Sequence, residues 1–131
     1  MPRITAVYAG LLLLLFLALT ARVLARRYAA QVVLGTGGDR ALERAVRVHA
    51  NCAEYVPIFL VALLAAELCG APATALHLAG MAMLLGRIGH AAGMSADPEI
   101  ASLRGGGMIL TLLALLGAAG LALAGSAGLW A

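Results

Sequence analysis

The chain has 131 residues, of which 63% are hydrophobic and 11% charged, with a formal net charge of +3. A soluble domain of this length needs a polar shell that this composition does not supply, so the apolar surplus faces lipid. The scarcity of polar side chains also excludes a nucleic-acid-binding surface. All nine basic residues are arginines. A GC-rich genome would produce the same bias, but either way each guanidinium stays charged and offers a planar fork to carboxylates.

The length suits one domain over residues 1–131, and four apolar runs divide it. The first, from about Ile4 to Ala25, competes with a signal-peptide reading. Its short Met-Pro-Arg leader, its length and the following Arg26 and Arg27 favour a membrane anchor. Val33–Arg40 is a glycine-containing loop without the ending of a phosphate-binding loop, and Asp39 is placed to cap the next helix. Span two covers about 40–68 and is polar in its first third. Gly70-Ala71-Pro72 makes a turn, span three covers about 73–92, and a polar loop with Asp97-Pro98 leads to span four at about 104–129. Each run approaches the ~20 apolar residues needed to cross ~30 Å of hydrocarbon. The expected fold is an all-α membrane protein, a bundle of four transmembrane helices. Small-residue pairs at Gly89/Gly93, Ala82/Gly86 and Gly120/Ala124 would let helices approach closely. Cys52 and Cys69 lie about 25 Å apart along span two, too far to bond within one chain.

Arginine placement gives the orientation. Arg22, Arg26, Arg27, Arg40, Arg44, Arg47, Arg87 and Arg104 fall at one membrane face and Arg3 alone at the other. The positive-inside rule puts the rich face in the cytoplasm and both termini outside, which in a bacterial inner membrane means the periplasm.

The most informative segment is Glu43 to Pro57. With Arg47 set to zero on a helical wheel, Arg40, Glu43, Asn51 and Glu54 fall within roughly 40° and Arg44 at about 60°. His49 points almost the opposite way. Ionisable groups in a span are costly unless paired or wet, so the stripe should face other helices. One outcome is an ion ladder, Glu43–Arg47 and Arg47–Asn51–Glu54, holding an oligomer together. The other is a ligand site. Pro57 should kink the helix just beyond the stripe. Arg87 and His90 share a face of span three, and Arg104 opens span four. His49 and His77 are not expected to be ligands, and no Cys/His spacing suggests a metal. Several arginines with one asparagine and one glutamate suit a small molecule bearing carboxylates and one ammonium group. Glutathione is such a molecule, and an arginine near its sulfur would favour the thiolate.

These residues resemble the membrane-associated proteins in eicosanoid and glutathione metabolism, the MAPEG family. Glu43-Arg44-x-x-Arg47-x-x-x-Asn51-Cys52-x-Glu54-Tyr55-x-Pro57-Ile58-Phe59 is similar to the second-helix signature of the leukotriene C synthase branch. Arg26-Arg27 resembles that branch's arginine pair, and Gly86-Arg87-x-x-His90 resembles the third-helix motif of the prostaglandin E synthase branch. The resemblance implies a homotrimer with glutathione between neighbouring protomers near the cytoplasmic face. By position it implies glutathione contacts from Arg47, Asn51, Glu54, Arg87 and His90, with Arg26 or Arg27 reaching in from the adjacent chain and Arg104 activating the thiol. Met94 and Met108 stand where members often carry tyrosines, and Ala50 where some carry a further arginine. The implied function is a glutathione-dependent transferase or peroxidase acting on lipophilic electrophiles. Two alternatives are a non-catalytic lipid-binding or scaffold protein and, less readily, a small proton-coupled multidrug exporter.

Overall fold

The computed structural model describes residues 1–130. It contains α1 (Arg3–Ala30), α2 (Arg40–Leu68), α3 (Ala73–Ser95) and α4 (Ala101–Ser126), with no strand among the described residues. Helices α1, α2 and α4 are long and apolar enough to cross a membrane. Helix α3 falls short on apolarity rather than length, because His77, Arg87 and His90 interrupt it; at 23 residues it spans about 35 Å. Arg87 and His90 are turned inward, so the interior rather than lipid receives them.

Helix boundaries follow from local chemistry. Helix α1 continues past the expected Ala25, because Arg26 and Arg27 end the apolar run without breaking the helix. Gln31, in the left-handed conformation at φ 53°, terminates it. Asp39 caps α2 as expected, accepting from the Leu42 amide at 2.7 Å. Helix α2 runs unbroken through Pro57. The start of α1 has no side-chain cap of its own. Glu67, at the far end of α2, fills that role by accepting from the Ile4 and Thr5 amides at 2.8 and 2.7 Å. This bond also sets α1 and α2 antiparallel.

The core runs along the bundle axis through Tyr8, Leu12, Val48, Cys52, Phe59, Leu63, Leu76 and Met83. Helices α3 and α4 form the most extensive pair. Their backbones nearly touch: a Cβ on Gly107 would lie 2.6 Å from the Gly86 carbonyl oxygen, and one on Gly86 2.8 Å from Thr111 Oγ1. Gly86, Gly93 and Gly107 carry the contact. Gly89 is only in ordinary contact, and Gly120 has no neighbour within 4 Å. His49 and His77 both pack against α1. His49 lies 4.5 Å from the Phe16 ring with Nε2 3.1 Å from Thr20 Oγ1, and Tyr8 Oη lies 3.1 Å from His77 Nδ1.

Candidate functional site

The arginine-rich ends of all four helices meet at one end of the bundle. There, an open cleft of about 470 Å³ lies between α2, α3 and α4, lined by Arg47, Asn51, His90, Met94, Arg104 and Met108 among others. Four of the eight residues singled out by sequence thus share one space. The two methionines that replace expected tyrosines line it as well.

Arg87 sits beneath the cleft, 2% exposed. Its Nε and Nη2 donate to Thr111 Oγ1 at 2.9 and 2.6 Å, and its Nη1 donates to Asn51 Oδ1 at 2.5 Å. Its guanidinium carbon also lies 5.4 Å from the Tyr55 ring centroid, within cation–π range. A buried cation costs several kcal/mol unless its donors are satisfied. Here neutral oxygens and a π face satisfy them. Arg87 therefore ties α2, α3 and α4 together from inside and does not itself line the cleft. Thr111 was not legible as a participant, although it is the one polar side chain along the middle of α4.

His90, 5% exposed, places Nδ1 3.3 Å from the Arg104 carbonyl oxygen. A carbonyl only accepts, so Nδ1 carries the proton and a neutral ring leaves Nε2 as an acceptor. Nε2 is buried with no hydrogen-bond partner among the described residues. Arg104 lies in the first turn of α4 and pairs with Glu99.

The remaining predicted residues lie apart. Arg27 holds the first loop, donating to the Val33 and Gly35 carbonyls at 3.3 and 2.9 Å. Arg26 is exposed at the end of α1. Arg47 and Glu54 are exposed along α2. The expected inward-facing stripe is a correction in this respect: only Asn51 turns into the bundle. The packed face of α2 (Leu42, Ala45, Val48, Cys52, Val56, Phe59) centres about 150° from Arg47 on the helical wheel. The charged stripe therefore occupies the side that the chain's own helices leave uncovered. No ion ladder forms along it; the ion pairs among the described residues are Arg44–Asp97 at 2.9 Å and Arg104–Glu99.

Arg44 also donates to the Ala96 carbonyl at 3.0 Å, and Arg22 to Ser95 Oγ, so two helices clasp the α3–α4 connection. The Arg44 guanidinium, by hydrogen bond and charge, holds the Asp97 carboxyl below its ordinary pKa. The Arg44–Asp97 ion pair is thus complete above the ordinary carboxylate pKa and is lost as pH falls through the lowered value, while the bonds to Ala96 and Ser95 do not depend on it.

The model of the MAPEG family matches residues 5–124. The chain belongs to the MAPEG family. This MAPEG protein is also 35% identical, over 113 residues, to the inner membrane protein YecN of Escherichia coli K12. The match covers 86% of this chain and 85% of YecN. The YecN sequence of an O6:H1 strain matches equally, at 35% over the same length. Family membership and the apolar helices make the chain an integral membrane protein with an all-helical bundle fold.

Proposed function

We propose that this MAPEG protein is a glutathione-dependent transferase or peroxidase acting on lipophilic electrophiles from the cytoplasmic face of a bacterial inner membrane. The observation that carries the reading is the cleft that gathers Arg47, Asn51, His90 and Arg104 from three helices. Arg47 is the fork for a glutathione carboxylate, and Asn51 a donor beside it. His90 lines the inner wall. Glu54 takes the ligand's ammonium group, and Arg26 or Arg27 of a neighbouring protomer closes the site in a homotrimer. Arg87 supports Asn51 from below.

Arg104 and the amino end of α4 both favour an anion, so a thiol placed there ionises below a free thiol's pKa of ~8.5. In transfer, the thiolate sulfur bonds to the electrophilic carbon as the leaving group departs with its electron pair, and the thiol proton goes to solvent. An electrophile dissolved in lipid reaches the open cleft sideways.

Met94 and Met108 in the cleft wall favour a second reading, a lipid-binding scaffold without catalysis. Glutathione titration of the detergent-solubilised protein, followed by conjugation of a generic aryl halide, separates the two. Binding with turnover is the expected result. Binding without turnover supports the scaffold, and absence of binding defeats the glutathione reading.

A further inference from the structure

Thr111 lies one turn beyond Gly107 on α4 and is fully buried. Its hydroxyl proton is committed, because Oγ1 donates to the Gly107 carbonyl oxygen at 2.8 Å. The lone pairs of Oγ1 are then free to accept from Arg87, and they do so twice, from Nε and Nη2. The guanidinium is a donor at every nitrogen. Fixed by Thr111 on one edge, it can present only N–H to Asn51. The side-chain amide of Asn51 must answer with its oxygen, and Oδ1 does accept from Nη1 at 2.5 Å. The choice of amide orientation, commonly ambiguous for asparagine, is here dictated by a donor-only neighbour.

We infer that Thr111 is a positioning residue: through Arg87 it locks Asn51 with its oxygen inward and presents the Asn51 Nδ2 protons to the cleft as a fixed donor pair. The polarity of this part of the cleft is thereby set from α4, on the far side of a buried cation. The ligand atom seated at Asn51 is a hydrogen-bond acceptor, a carboxylate or amide carbonyl oxygen, and not an ammonium or hydroxyl donor. That this ligand is glutathione rests on the function proposed above; the lock itself does not.

The chain supplies an unusually clean probe. Asn51 is its single asparagine, so selective ¹⁵N labelling of asparagine side chains gives one carboxamide NH₂ pair in an NMR spectrum of the full-length protein in micelles. In the wild type the two protons should be well separated and slow to interchange. Thr111→Val removes the hydroxyl at constant shape, and the pair should move toward the values of a free carboxamide and interchange faster. Thr111→Ser retains the hydroxyl and should restore the wild-type pair. Where Thr111→Val alone costs the fold, Thr111→Val combined with Arg87→Met leaves no orphaned donor and should release Asn51 in the same way. Wild-type signals that persist in the folded valine variant, or in the double variant, overturn the inference.

Adding glutathione gives the second arm. Its carboxylates should shift the Asn51 protons downfield, and Thr111→Val should weaken binding about tenfold, the loss of one well-placed charged hydrogen bond. In an Asn51→Ala background the same Thr111→Val change should have no further effect on affinity, because its route is gone. Full additivity there makes Thr111 a merely structural residue and overturns the inference. A wild type that ignores glutathione but shows the locked carboxamide and its release defeats the proposed ligand while sustaining the lock.

Discussion

Arg104 occupies an electrostatically awkward place, a cation in the first turn of α4, where the helix dipole disfavours positive charge. Glu99 offsets part of that. An anion in the cleft, such as the thiolate of the function proposed above, would offset more. Arg104→Ala should leave glutathione affinity within a few-fold and lower turnover roughly tenfold or more, the pattern of an interaction felt mainly in the transition state. Thiolate absorbance titrated with pH should move to a higher apparent pKa in the variant. Normal turnover with an unshifted titration would reduce Arg104 to an interface anchor. Glu54→Gln keeps the side-chain shape and should weaken glutathione by about 1–3 kcal/mol, the scale of a lost charged hydrogen bond. Unchanged affinity by calorimetry removes Glu54 from the site. Helical spacing put Asn51 on the face of Arg47 and His90 on the face of Arg87, because periodicity reports which side of a helix a group is on; that Arg47, Asn51, His90 and Arg104 share one site was what the family resemblance implied. It does not report depth. Arg87, a ligand contact by the family resemblance, is a buried strut within the chain, and Thr111, its partner 24 positions away, has no local signal beyond being polar in an apolar run.

The four helices and their order were legible because each apolar run is bounded by glycine, proline or arginine. The ends of α2 came out where Asp39 and Gly70 place them. The ends of α1, α3 and α4 moved by a few residues, since hydrophobicity marks where a span leaves lipid and hydrogen bonding decides where a helix stops. Small-residue pairs were less informative. Of those legible in the sequence only Gly86 and Gly93 carry the tight contact between α3 and α4, and Gly107, which completes it, belongs to no such pair. This yields a test at the level of helix packing. Gly107→Ala drives a methyl group against the His90 and Gly86 backbone. It should destabilise by about 1–3 kcal/mol, as overpacking does, and displace His90 from the cleft wall. Gly10→Ala on α1, with no atom within 4 Å, should be neutral or stabilising by up to about 1 kcal/mol through helix propensity. Thermal unfolding in one detergent compares the two directly, and equal behaviour would refute the close α3–α4 approach.

At the scale of the whole molecule, the arginine bias predicts that a reporter fused after Ala131 reads out as periplasmic; a cytoplasmic signal would put the cleft in the wrong compartment for glutathione. The assembly follows from an imbalance within the single chain. Arg47 and Glu54 lie exposed on the side of α2 opposite its core, and neither has an ion partner among the described residues. Charges at membrane depth are costly when they face lipid. The same face borders a cleft that is open on one side and lined on the other by Asn51, His90 and Arg104. A neighbouring copy set against α2 would cover the stripe, close the cleft and bring its own Arg26 or Arg27 to the ligand. Closed cyclic symmetry lets every copy do this for the next, and the resemblance to the MAPEG branches named above implies that the ring has three copies. Native mass measurement in mild detergent should therefore give a trimer, and crosslinking should join α2 of one copy to its neighbour. Charge reversal at Glu54, Glu54→Arg, should weaken that trimer more than Glu54→Gln, because it leaves like charges facing across the contact. A stable monomer that still binds glutathione with wild-type affinity would show that one chain completes the site and would overturn the shared-site reading.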